Sequence, residues 1–259
     1  MDDYKCNFFA TNNSIVREIW GKADTILFIF AGASAEFALN RSVDWLYFTG
    51  RLPADPLARL FSTVGYARKI IFSEKDTALQ YIDQITAIHK GVETARGTTI
   101  PAEAYLEVLY LLIDYSIRSF ELLERKLTYN EKLEVFEVFH GVGSRMGLTG
   151  LPGSYDEYLE MRKKQLTEDL HYSKYTPDLY KQYKKHLGAI RYLVLKQAQV
   201  LVVPPEVNMM LSLGRTRWLV PVLYVYKFFR LLKLQNMVKY AILPPNYTKE
   251  VMAMDNLTV

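Results

Sequence analysis

Residues 55–93 read DPLARLFSTVGYARKIIFSEKDTALQYIDQITAIHKGVE. The stretch opens on Asp55-Pro56, a side chain suited to capping a helix followed by proline at the first helical position. Leu57, Leu60, Phe61, Val64 and Ile71 then recur at helical spacing, which predicts an amphipathic helix. Only the polar link SEKD separates it from a second helical pattern, TALQYIDQITAIHKGVE. Two helices joined so briefly pack antiparallel. The same signals continue on both sides. Upstream, Ser14 and Asp24 can each cap a helix, the second running through DTILFIFAGASAEFAL. Downstream, the break GTTIP (97–101) precedes AEAYLEVLYLLIDYSIRSFELLERKL, the longest unbroken helical pattern read here. Thr128–Asn130 start a further helix with Gly141 and Gly143 near its end, and another follows the Pro152-Gly153 turn. The loops VVPPE and ILPPN flank TRWLVPVLYVYKFFRLLKL. No stretch alternates with a period of two, and hairpin turns, repeats and dividing linkers are missing. The expectation is one all-α domain spanning residues 1–259.

Half of the 259 residues are hydrophobic, which excludes a disordered chain. The 19 Tyr and 13 Phe can line an interior cavity or simply furnish core and surface. Cys6 is the single cysteine, so neither a disulfide framework nor a cysteine metal site can form. The longest apolar runs, Thr25–Ala35, Val108–Ile113 and Trp218–Tyr226, fall short of the roughly 20 residues of a membrane span. The first residues lack the apolar run of a secretory signal, and a cytoplasmic location is expected. The net charge of +4 is concentrated in Lys163–Lys185 and Arg215–Lys239. No nucleic-acid-binding module accompanies these runs, so nucleic acid is not an expected partner. Residues 217–234 join an apolar body to Lys227, Arg230 and Lys233, leaving peripheral membrane contact as a subordinate reading of what a core helix with a basic edge would also show.

Nucleophile elbows, phosphate-binding loops, dinucleotide fingerprints and paired zinc histidines are all missing. A di-iron bundle needs two Glu-x-x-His motifs, and only Glu137–His140 has that spacing. Of the four histidines, His171 and His186 sit among Lys, Tyr and Asp and read as exposed, and His140 lies near a helix end. His89 differs. Ala78, Ile82, Ile85, His89 and Val92 follow steps of four and three, placing His89 on the apolar stripe of its helix. Arg59, Thr63, Tyr66 and Ile70 form a stripe on the preceding helix. Arg59 and His89 are both fifteen residues from Glu74. In an antiparallel pair they stand level, about 22 Å from the turn, with Thr63 one helical turn nearer to it. A pocket is one reading of such a convergence, because buried arginine is costly unless paired. The other is an Arg59 that caps carbonyls or pairs with Asp55, beside a His89 bonded to a backbone oxygen. Spacing leaves both open.

The pattern Asp55-Pro56-x-x-Arg59-Leu60-x-x-Thr63, then His89-x-x-Val92, resembles the domain shared by latex-clearing rubber oxygenases and mpaB-type oxygenases. NEKLEVFEVFHGVGSRMGLTGLPGSYDEYLEMRKKQL also looks like that family's acid-rich helix, leucine-proline turn and tyrosine-containing helix. The resemblance covers about residues 14–235. It implies a globin-like helical core enclosing haem b, with His89 as the proximal ligand of the iron and Arg59 and Thr63 on the distal side as the catalytic pair. Tyr66, from the same stripe, joins them as a cofactor-binding residue. The implied activity is a haem b-dependent oxygenase acting with dioxygen on a small hydrophobic, isoprenoid- or lipid-like substrate. A haem-binding sensor or carrier without turnover is the alternative. Ser62 stands where the rubber enzymes carry lysine, and Asp44 is a poor match for their distal glutamate. The glycine expected after His89-x-x-Val92 is displaced to Gly91 or Gly97. These departures touch the distal base and the substrate more than the haem site.

Overall fold

A helix that is apolar on every side has to be wrapped by others, and α2 (Ala23–Phe37) is such a helix, with all but Leu27, Phe28 and Ala33 buried. The computed structural model describes residues 9–47 and 54–231, and the elements there are helical. Before α2 comes α1 (Ile15–Trp20), capped as expected by Ser14, whose hydroxyl accepts from the Val16 N–H at 3.1 Å. The next elements are α3 (Ser42–Tyr47), α4 (Pro56–Phe72), α5 (Lys75–Arg96), α6 (Ala102–Leu123) and α7 (Tyr129–Arg145). Helix α8 (Tyr155–Lys164) runs into a π-helical turn, Gln165–Asp169. Helices α9 (Tyr175–Val202), α10 (Pro205–Leu211) and α11 (Leu219–Leu231) complete the described chain. The ILPPN loop, Lys233 and residues 48–53 upstream of the Asp55 cap lie outside the described residues.

Most of the expected boundaries stand. Asp55 caps α4 by accepting from the Ala58 N–H at 2.9 Å. Thr128 and Glu131 exchange bonds with each other's backbone N–H at the start of α7, a complete capping box. Two boundaries move. Lys22 rather than Asp24 precedes α2, and Asp24 sits in the first turn, where its carboxylate accepts from the Tyr226 hydroxyl of α11 at 3.1 Å. The link between α4 and α5 is shorter than SEKD, only Ser73 and Glu74. The longest described helix, α9, has no counterpart among the sequence expectations. Its pattern breaks at Gly188, whose backbone (φ 75°, ψ 171°) kinks the helix in a region that side chains rarely adopt.

Packing on α2 defines the layers. On one side α6 approaches so closely that Gly32 lies under the Tyr115 ring. On another, α9 bonds to the α2 backbone: Tyr183 donates to the Ser34 carbonyl at 3.2 Å and Thr176 to that of Ala38 at 2.7 Å. Gln199 donates to the Ser34 hydroxyl at 3.0 Å, again inside the core. Helix α1 is tied in through Trp20, whose indole N–H reaches the Ser116 hydroxyl of α6 at 3.0 Å. One apolar cluster runs from Ile15 and Trp20 through Ile29, Tyr115 and Phe139 to Val207. Smaller clusters hold α5, through Ala78 and Ile82, and α11, through Leu219, against the all-α core.

Candidate functional site

Helices α4 and α5 pack as the hairpin that their short connection demands, with Ile70, Ala78 and Ile82 buried between them and α7. Ala78 and Ile82 are the only fully buried residues of α5. Past Ile82 the helix leaves the shelter of its neighbours, so Ile85, His89 and Val92 are half-buried rather than core. His89 nonetheless has one enclosed ring nitrogen. Its Nδ1 is shut off from solvent with no hydrogen-bond partner. The backbone bond that would make this an ordinary core histidine is therefore missing at Nδ1.

Arg59 acts on His89 through its charge. Burial, and then the Arg59 guanidinium, hold the imidazole below its ordinary pKa, while Glu93 pulls the other way. Arg59 itself is exposed on α4. Thr63 follows one turn on, half-buried, its hydroxyl bonded back to the Arg59 carbonyl at 3.3 Å. Tyr66 stands further toward the turn. The Lys69 ammonium lies 5.4 Å from the Tyr66 ring and 5.4 Å from that of Tyr81, which precedes His89 by about 12 Å of helix axis. Ser62, in the place of the rubber enzymes' lysine, is exposed.

Two neighbours of His89 went unnoticed in the sequence. Tyr105, on the first turn of α6, meets the imidazole edge-on with ring centroids 5.2 Å apart. Glu93 accepts from the Ile100 N–H at 2.8 Å and from the Tyr105 hydroxyl at 3.5 Å. Burial and the nearby Glu93 push the Tyr105 phenol up to about 12, so it stays a hydroxyl donor at ordinary pH. The signal lay in the GTTIP break, which folds the start of α6 back over the end of α5.

The other histidines divide differently from expectation. His171 is exposed, as read. His186, two residues before the Gly188 kink, is half-buried with Nε2 enclosed and unpartnered. His140 packs on Phe136 and shares a 3.4 Å contact with the Ser144 hydroxyl. Among the described residues no three of His, Cys, Asp and Glu converge as a metal-ion cluster, so Glu137 and His140 gain no di-iron partners there. A haem iron needs only one protein imidazole.

A second polar cluster sits deeper. Glu36, fully buried on α2, takes a bidentate ion pair from Arg162 of α8 at 2.5 and 2.6 Å and a bond from the Tyr115 hydroxyl at 2.8 Å. Arg162 also donates to Asp114 and to the Gln165 side chain of the π-helical turn. Burial alone would raise the Asp114 carboxyl, but the Arg162 and Arg118 guanidiniums outweigh it and hold the group below its usual range. Every N–H of Arg162 is used. Arg162 therefore ties α2, α6 and α8 together and offers no open donor of its own to a ligand.

The family described as ER-bound oxygenase mpaB/B'/Rubber oxygenase, catalytic domain, matches residues 22–234. The chain belongs to this family. The mpaB/rubber-oxygenase domain thus spans α2 to the end of the described helices and includes both the α4–α5 hairpin and the buried ion cluster. No curated protein and no solved structure matches the chain. In this oxygenase-type domain, no described helix is long and apolar enough to cross a membrane. Helix α11 is anchored by buried Leu219 and Tyr226 and exposes Val222, Tyr224 and Val225, with exposed Trp218 just before it. The side chains of Lys227 and Arg230 are outside the described residues.

One consequence of the His89 environment is measurable. Its folded-state pKa lies below the ordinary 6.5, so the unfolded chain binds the extra proton first as pH falls. The contribution to stability is full above that value and is lost as the pH drops through and below it. Melting temperatures measured from pH 7.5 down to 5.5 are expected to fall more steeply for the native protein than for His89→Gln. Parallel curves would show that His89 is solvated like an unfolded histidine.

Proposed function

We propose that the domain is a haem b-dependent oxygenase of small hydrophobic, isoprenoid- or lipid-like substrates, with His89 holding the iron inside a globin-like helical core. The observation that carries this reading is the His89 Nδ1, an enclosed imidazole nitrogen without a protein partner, on the residue that the resemblance implies as the proximal ligand. A ring kept neutral by burial and by Arg59 is in the protonation state that ligation requires. Tyr105 stacks edge-on against it and fixes its orientation, as groups around a ligating histidine do. When bound, haem supplies the redox-active iron that activates dioxygen.

The chain's own residues supply the rest. Arg59 brings a permanent cation whose donors suit a haem propionate or a reduced oxygen species. Thr63 offers a hydroxyl on the same stripe. Its proton is shared with the Arg59 carbonyl, so it can turn to a ligand without leaving a buried group unpaired. Tyr66 is proposed as a lining residue nearer the α4–α5 turn.

Oxygen uptake by the haem-reconstituted protein tests turnover. With unsaturated isoprenoid or fatty acyl substrates, uptake is expected to depend on the substrate and to drop at least about tenfold in Arg59→Gln, the loss of one charge-assisted contact. Stoichiometric haem binding with no substrate-dependent uptake would reject the oxygenase and leave a haem sensor or carrier.

A further inference from the structure

A cleft of about 400 Å³ opens between α6, α7, α8 and the start of α10, and it includes none of Arg59, Thr63, Tyr66 or His89. That volume falls within the range of small-molecule sites. We propose that this cleft is a second binding site, for an amphiphilic monocarboxylate, distinct from the His89 site.

The anion-binding group is Arg118. Its Nε–H is pinned to the Asp114 carboxylate at 2.8 Å, which fixes the plane of the guanidinium and leaves both terminal Nη groups uncommitted. A guanidinium held in this way is pre-organised for bidentate recognition of a planar carboxylate. The neighbouring charges mostly cancel. Arg162 is matched by Glu36 and shares Asp114 with Arg118, and Lys132 is matched by Glu121 at 2.9 Å. On the rim, Lys163 adds a solvent-facing cation and Glu206 an acid. With no net charge left over, a carboxylate would be held by the directed Nη donors of Arg118 rather than by the field of the cleft.

Tyr158 is the second observation. It lines the cleft at 2% exposure, and its hydroxyl is enclosed without any hydrogen-bond partner. Buried hydroxyls are nearly always bonded, and a ligand oxygen in the cleft would complete this one. Ile117, Leu159 and Leu166 supply the apolar walls. Leu159, beside the buried Tyr155 and Tyr158, is 44% exposed and leaves an apolar surface for a hydrocarbon body.

The haem-free protein titrated calorimetrically with sodium decanoate tests the proposal. One decanoate per chain is expected, with decanol at least about tenfold weaker because it cannot engage the Arg118 fork. Arg118→Gln is expected to weaken decanoate by a similar factor. Tyr158→Phe is the variant that keeps the fold, since its hydroxyl has no protein partner to lose. It is expected to weaken decanoate severalfold with an unchanged or higher melting temperature. His89→Ala is expected to bind decanoate like the native protein, so failure of the haem reading leaves this result standing. Decanol binding as tightly as decanoate, or unchanged affinity in both Arg118→Gln and Tyr158→Phe, would overturn the proposal. So would loss of binding in His89→Ala, which would place the ligand in the other site.

Discussion

Arg162→Met is expected to destabilise the protein by about 3–5 kcal/mol, the usual consequence of removing one partner of a buried ion pair. Glu36 has no exposure and its other partner is a neutral hydroxyl, so the substitution leaves a carboxylate stranded in the core. Asp114 keeps Arg118 and some solvent, which places most of the damage at Glu36. Domain stabilities of about 5–15 kcal/mol mean that such a loss takes much of the total. Arg162→Lys should fall in between, because an ammonium keeps the charge but cannot span Glu36, Asp114 and Gln165 at once. Urea unfolding followed by circular dichroism gives both values. A loss under about 1 kcal/mol in Arg162→Met would mean that Glu36 finds other partners, and the cluster would not be the clamp described here.

The second large effect is expected at Gly32. A Cβ there would lie 2.2 Å from Cδ1 and 2.3 Å from Cε1 of Tyr115, well inside van der Waals contact. The ring cannot simply swing away, because its hydroxyl is bonded to Glu36 at 2.8 Å. Gly32→Ala should therefore cost about 1–3 kcal/mol for overpacking. It should also weaken the bond to a charged acceptor, itself worth roughly 1.5–3 kcal/mol. In a Tyr115→Ala background the added methyl has room, and the penalty is expected to disappear. A double-mutant cycle over the four proteins isolates that coupling. Equal costs in the two backgrounds would show that α2 and α6 are less closely apposed at this point.

Both effects arise from long-range pairing, and that is the part of the fold least legible in sequence. Glu36 within the apolar run DTILFIFAGASAEFAL and Asp114 within YLLIDYSI each signal a buried acid in need of a partner. Neither signal names Arg162, which stands just before the basic run Lys163–Lys185 and lies 48 residues from Asp114. Local signals fared better. Asp55-Pro56 and the Thr128–Glu131 box act through bonds to their own backbone, so the sequence carries the whole interaction. Helix α9 escaped notice because Gly188 interrupts its period and its first half is strongly basic. At the candidate site, spacing suggested Arg59 and His89 at one level, and in the structure the Arg59 charge acts on the imidazole. The depth of His89 was not readable, because burial there depends on where the neighbouring helices stop. Tyr105 was hidden for the same reason: its approach depends on the chain reversal at GTTIP.

The claim that matters most is ligation of haem iron by His89, and an absorption titration with haemin tests it most directly. The native protein is expected to develop a saturable Soret band at one haem per chain, shifting on reduction with dithionite. His89→Ala, checked for an unchanged circular dichroism spectrum, should lose that band or shift it to that of a differently ligated haem. Identical spectra for the two proteins, or no Soret band in the native one, would contradict it.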